Sequence, residues 1–153
     1  MKQIQIVNLS EKEHFRNLFY EYLMELSQFD KDILFDINGT PIYKWFDAYF
    51  VDKDRYPFYF KIDNKIAGIA MIRILNDNKF EIAEFYVCKN FRGNGNAIWF
   101  ADELLKLFDG NFEFSTKLAN IRAVKFWNKF SARYNHKNFN DEQCSNWIIY
   151  KQK

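Results

Sequence analysis

The sequence predicts an α/β fold of the α+β type: a mixed, largely antiparallel sheet of six to seven strands flanked by about four helices. Three observations carry that prediction. Three apolar, strand-like runs in the middle of the chain are separated by short polar turns, the pattern of an antiparallel meander. Helical periodicity lies on both sides of them, so helices and strands are mixed along the chain. No repeat, low-complexity tract or Pro/Gly/Ser linker interrupts the 153 residues, and 48% are hydrophobic, enough core for one domain spanning 1–153.

Ile4 and Ile6 alternate with polar residues and mark a first strand. Ser10 and Glu13 form a capping-box pattern ahead of Phe15, Leu18, Phe19, Tyr22, Leu23 and Leu26, whose spacing predicts an amphipathic helix. Residues 27–40 are irregular and acidic, and Pro41 is placed to open a second helix through about Phe50. The three central strands run over Phe58–Ile62, Ile66–Leu75 and Phe80–Cys88, with turns at Asp63-Asn64 and Asn76-Asp77-Asn78. A helix follows from Ala97 to Phe108, with Gly110 as its C-terminal cap. Asn111–Ser115 is a further strand, Asn120 caps a helix to about Tyr134, and Asn138–Lys153 holds one or two strands, clearest at Trp147–Tyr150.

Composition narrows the function. Aromatic residues make up 20% of the chain and belong mostly to the core. The 22 Lys and Arg nearly balance 20 Asp and Glu, which leaves no electrostatic footprint for nucleic acid or an anionic membrane. No apolar run approaches a membrane span, and Met1–Gln5 lacks the apolar stretch of a signal peptide. Cys88 and Cys144 form neither a metal-ligand spacing nor a disulfide framework, so a cytoplasmic protein with two free thiols and no bound metal is expected.

The stretch Arg92-Gly93-Asn94-Gly95-Asn96-Ala97 is the most informative. Two of only five glycines stand here, between a strand and a helix. Glycines at a helix N-terminus let unpaired amides converge on an anion, where the helix dipole also favours negative charge. A Walker loop is excluded, because Asn96-Ala97 rather than Lys-Ser or Lys-Thr follows Gly95. A dinucleotide fingerprint is excluded by Ile98 at the third glycine position and by the antiparallel approach to the loop. The pattern R-x-x-G-x-[GA], met by Arg92, Gly95 and Ala97, remains.

Together with the element order, and with Asn120, Ala123, Phe126 and Trp127 in the pattern N-x-x-A-x-x-F-[YW], this loop resembles the GNAT superfamily of acyl-CoA-dependent N-acyltransferases. The two motifs span about residues 80–130. The resemblance implies a GNAT-like fold with acetyl-CoA as cofactor. The amides of Arg92, Gly93, Asn94, Gly95, Asn96 and Ala97 would cradle the pyrophosphate of coenzyme A. Phe85, Tyr86 and Val87 would lie along its pantetheine arm, with Phe85 and Val87 pairing as an added strand. Asn120 and Ala123 would contact the cofactor, and Phe126 and Trp127 would wall its channel, or pack as a helix face on the sheet.

The implied reaction is acetyl transfer to a primary amine of a small molecule or protein by direct attack. An amine of reference pKa about 10 must lose a proton first. Glu84 and Glu81 are the carboxylates on the relevant strand. Alternation puts them on opposite faces unless a bulge intervenes, and both stay open as the base, with Glu84 first. Many relatives carry Tyr where Trp127 stands, and an indole is no useful acid. The general acid is thus unassigned: Tyr86 and Tyr134 are candidates, and so is solvent, since a simple thiol has a modest pKa of about 8.5. Acids among aromatics from Phe29 to Asp47 suit a cationic acceptor or a solvated loop over the core. A non-catalytic acyl-CoA-binding sensor is the second reading, an interaction protein the third, and the resemblance makes a homodimer plausible.

Overall fold

Period-two alternation in the strands gives one sheet two apolar faces, and periodicity near 3.6 in the helices covers both. The computed structural model describes residues 1–151. In chain order, β1 (Lys2–Ile6) leads through a short 3-10 turn into α1 (Lys12–Leu26). The two-residue strands β2 (Leu34–Phe35) and β3 (Pro41–Ile42) form a separate hairpin. Next come β4 (Arg55–Ile62), β5 (Lys65–Asn76), β6 (Lys79–Val87) and α2 (Asn96–Leu107). The chain continues with β7 (Asn111–Lys117), α3 (Ile121–Ser131), β8 (His136–Asn140) and β9 (Cys144–Ile149). The seven-stranded sheet has the order β1-β4-β5-β6-β7-β9-β8. Every neighbouring pair is antiparallel except β6 and β7, which are parallel.

On one face, α2 and α3 pack through Phe100, Leu104, Trp127 and Phe130 against Phe60, Phe112, Phe114 and Trp147. On the other, α1 packs through Phe15, Phe19, Tyr22 and Leu23 against Tyr59, Ile69, Met71 and Tyr86. Each fully buried ring contributes roughly 1.5–3 kcal/mol from burial, so the aromatic wealth of the chain is spent on these two cores. The tight turn between β4 and β5 uses left-handed Asp63 and Asn64, as a two-residue hairpin requires.

Three local expectations differ from the structure. The helix expected from Pro41 is absent: Pro41 pairs with Phe35 in the small hairpin, and only a 3-10 turn forms, at Asp47–Phe50. The chain therefore has three α-helices among the described residues. The capping box does not form; Ser10 donates to Asn8 Oδ1 at 2.5 Å, and Glu13 pairs instead with Arg16. Gly110 is no helix cap, since α2 ends in an extended Phe108. A side chain at Gly110 would meet the Asn78 carbonyl and the Phe80 ring, so glycine is needed there for close approach. Gly68 of β5 is tight for the same reason, against the Tyr86 carbonyl of β6.

Candidate active site

The site begins where β6 and β7 part. Their parallel pairing covers only Lys79–Glu81 against Asn111–Glu113, and downstream β6 stays bonded to β5 alone. Cys88 N–H donates to Ala67 O, so the alternating pleat turns the backbone groups of Phe85 and Val87 to the open edge. The gap is a cleft of about 450 Å³. It is walled by β6 from Ile82 to Val87, by Phe114–Lys117 of β7, by α1 and by the start of α3.

A bulge in β6 sets the carboxylates. Ile72 pairs with Ile82 but Met71 pairs with Glu84, so Ala83 is the extra residue. Glu81 lies opposite Arg73 and Glu84 opposite Met71, and these two β5 residues share a face, so the bulge brings both carboxylates to the α1 side. Their surroundings then diverge. Glu81 lies 3.2 Å from Arg73 Nε, a charge contact without hydrogen-bond alignment, and is absent from the cleft wall. Glu84 lines the cleft and accepts from Tyr22 Oη at 2.6 Å and from Tyr43 Oη at 3.0 Å. Burial pushes its carboxyl up to about 7, against the two tyrosine hydrogen bonds, which favour the charged form. The neighbouring charges of Glu81 and Asp30 push the same way as burial. Burial, with Glu84 beside them, also holds the Tyr22 and Tyr43 hydroxyls well above the ordinary phenol range, so both remain donors.

The glycine loop has the left-handed backbone its sequence demands: φ is +93° at Gly93, +56° at Asn94 and +72° at Gly95. Gly95 is the N-cap of α2. Among the described residues, no backbone carbonyl accepts from the amides of Gly93, Asn94, Gly95 or Ala97. The Asn96 amide instead bonds Gly93 O at 3.1 Å, and that of Arg92 bonds Lys89 O at 3.3 Å. The Asn96 side chain is buried and braces the loop through Phe91 O at 2.9 Å. Four unpaired amides at a helix N-terminus fit an anion of the diphosphate kind. The Arg92 side chain turns away from this nest. It donates to Val87 O at 2.9 Å and makes a two-point contact with Glu25 at the end of α1, at 3.0 and 2.8 Å.

Of the remaining sequence candidates, Tyr86, Asn120, Ala123, Phe126 and Trp127 all line the cleft. Asn120 caps α3, its side chain accepting from Ala123 N at 3.3 Å. Phe126 and Trp127 wall the cleft and pack on the sheet at once; Trp127 is 6% exposed and meets Phe85 edge-on at 5.0 Å. Tyr134 is elsewhere. Its hydroxyl donates to Asp102 of α2 at 2.6 Å and its ring packs on Phe130, so it can serve no reaction in the cleft. Most of the acidic and aromatic stretch from Phe29 to Asp47 is structural. Phe46 is core, Asp47 pairs with Lys12, and Asp36 closes its own turn through Asn38 and Thr40. Only Phe29 and Asp30 reach the cleft wall, with Asp30 3.6 Å from Lys117. Burial lifts the Cys88 thiol to about 11, which removes it as a nucleophile at neutral pH.

Sequence reasoning missed Tyr22 and Glu25 as site residues. Their only signal was a place on the last two turns of α1, which reads equally well as core. No helix among the described residues is long and apolar enough to cross a membrane, and no His/Cys/Asp/Glu group among them could hold a metal ion.

The model of the acetyltransferase (GNAT) family matches residues 15–132. A spermidine N-acetyltransferase from Vibrio cholerae, solved with CoA and spermine, superposes with a TM-score of 0.71 at 11% identity, over 97% of this chain and 95% of its own. The PaiA N-acetyltransferase of Thermoplasma acidophilum, solved with coenzyme A, gives 0.66 at 11% identity, over 99% of both chains. A GNAT-family acetyltransferase from Streptococcus agalactiae gives 0.70 at 18% identity, over 99% of this chain and 96% of its own. No curated protein matches the chain.

Proposed function

The chain belongs to the GNAT acetyltransferase family, and we propose that it moves an acetyl group from acetyl-CoA to a primary amine by direct attack. The observation that carries this reading is the placement of Glu84. A carboxyl poised near neutrality sits in the wall of a cleft that Arg92 and Ala97, at the two ends of the glycine loop, also line.

Acetyl-CoA supplies an activated thioester, and the residues of the chain hold it and manage the proton. The free amides of Gly93, Asn94, Gly95 and Ala97 receive the pyrophosphate. The open edge of β6 at Phe85 and Val87 offers backbone groups to the pantetheine amides, with the Val87 carbonyl already shared with Arg92. Ala97, Asn120 and Ala123 flank the arm, and Phe126 and Trp127 exclude water from its far side. Glu84 takes the amine proton, while Glu81, held at Arg73, adds only its charge. Tyr22 and Phe29 give the acceptor side an aromatic lining with Asp30 and Glu84 as its acids, which suits a small cationic amine. The polyamine held by the Vibrio cholerae protein is one such amine.

The test is thiol release from acetyl-CoA against polyamines, amino acids, aminoglycosides and peptides. Release with at least one amine, lost in Glu84→Gln, is the expected result. Trp127, in place of a hydroxyl-bearing residue, favours a second reading: an acyl-CoA-binding sensor without catalysis. Tight acetyl-CoA binding with no thiol release across the panel would select it.

A further inference from the structure

Trp127 leaves the departing sulfur without the proton donor its position would otherwise provide. Four hydroxyl side chains line the cleft: Tyr22, Tyr86, Ser115 and Thr116. Tyr22 alone among them is hydrogen-bonded to the carboxyl that takes the amine proton, at 2.6 Å. Ser115 is turned to Asn146 Oδ1 at 2.5 Å, and Tyr86 packs at a tilt on Tyr22 and lies under the Arg92 guanidinium. Tyr43 shares Glu84 at 3.0 Å but does not line the cleft.

On the proposed acetyl transfer, we propose that the Tyr22 hydroxyl is the proton donor to the departing sulfur and that Glu84 resupplies it. One hydrogen-bonded pair then acts first as base and then as acid. The bookkeeping closes. The amine lone pair forms the C–N bond, and Glu84 takes a proton from that nitrogen. As the C–S bond breaks and its electron pair goes to sulfur, Tyr22 gives its proton to sulfur and takes the one on Glu84. Both residues end as they began, and the net change is one proton moved from nitrogen to sulfur. An acceptor arriving as an ammonium ion first loses one further proton, passed through Glu84 to solvent, before the amine attacks. Coupling the two transfers is what makes a phenol usable here, because no tyrosinate has to form beside a carboxylate. Tyr43 is a positioning residue that orients Glu84.

Two variants separate donor from positioner. Tyr22→Phe and Tyr43→Phe each remove a hydrogen bond that favours the charged carboxylate, so each moves the pH midpoint of the rate upward. The groups facing Glu84 are otherwise the same in both: Glu81, Asp30 and the remaining tyrosine. Above the shifted midpoint, Tyr43→Phe recovers to within a few-fold of wild type, whereas Tyr22→Phe stays roughly 100-fold or more below it, the scale of a lost general acid.

A binding readout stands beside the rate. Calorimetry with coenzyme A and desulfo-coenzyme A should show the preference for the thiol lost in Tyr22→Phe and kept in Tyr43→Phe. Should Tyr22→Phe fail to fold, the single-turnover rate of the wild-type chain in mixtures of H2O and D2O takes its place. Two protons in flight give a curved dependence on deuterium fraction, and a straight line overturns the relay. Recovery of Tyr22→Phe at high pH, or an unchanged preference for the thiol, overturns this proposal alone. No affinity for coenzyme A in the wild-type chain overturns it together with the proposed function.

Discussion

At its upstream end β6 is bonded on both edges, and Glu81 there lies against Arg73. Three residues on, past the bulge, the strand is bonded on one edge only, and Glu84 faces a cavity between two tyrosines. The two carboxylates share a strand and a face. What separates them is the company each keeps: a cation and solvent for one, burial and neutral donors for the other. The second environment makes a carboxyl exchange protons near neutrality. On the proposed function, where the sheet opens, more than residue type, sets which carboxylate on this strand is placed to react.

The comparison can be broken by exchanging the roles. Glu84→Gln should lower kcat by about 100- to 10,000-fold near pH 7, with a smaller deficit at high pH where the amine is already free. A flat loss across pH, read in a thiol-release assay, would deny Glu84 the part of base. Next in size is Gly95→Val. Nothing lies within 4 Å of a Cβ built there, so its effect comes from the left-handed φ of +72° rather than from a clash. Strain of roughly 1–2 kcal/mol turns the amides out of register, and affinity for coenzyme A should fall about 10-fold or more while the fold survives. Calorimetry and circular dichroism on the same sample check both halves of that statement.

A smaller effect sharpens the contrast through stability. Because Glu84 holds its proton up to about pH 7 when folded but only to about 4.3 when unfolded, the native state binds more protons between those values. Stability contributed by this group is thus present at low pH and falls as pH rises through that window. Glu84→Gln removes the penalty, so the variant should gain about 1–3 kcal/mol on wild type at pH 8 and little at pH 4, by urea denaturation. The least change is expected from Glu81→Gln. Its partly exposed contact with Arg73 is worth about 0–1 kcal/mol, and the rate should stay within a few-fold of wild type. A deep loss of rate there would move the base to Glu81.

The contrast also marks what the sequence could convey. The strands, the amphipathic α1, the cap at Asn120 and the glycine loop are local patterns, and each appeared within a residue or a few of its expected place. Strand alternation set Glu81 and Glu84 on opposite faces unless a bulge intervened, and the extra residue at Ala83 is that bulge; its presence in β6 leaves no mark in composition or period. Tyr22 reaches Glu84 across 62 positions of chain, and Tyr43 across 41, distances over which a single sequence carries no pairing signal. Pro41 read as a helix start since its fixed φ suits both a first turn and an edge strand, and tertiary pairing with Phe35 chose the strand. Tyr134 was named for its hydroxyl alone, and Asp102 had already claimed it.

Gly68 stands behind all of this, on the strand that never touches the cleft. It lies opposite Val87 in register, and any side chain on it would run into the carbonyl of Tyr86. The last residues of β6 thus rest directly on bare backbone, seated as deep in the sheet as two chains can be. A methyl group at Gly68 would act as a shim, pressing Tyr86 and Val87, two residues of the cleft wall, out of their seat. The gauge of the opening is in this sense cut by an atom the chain leaves out.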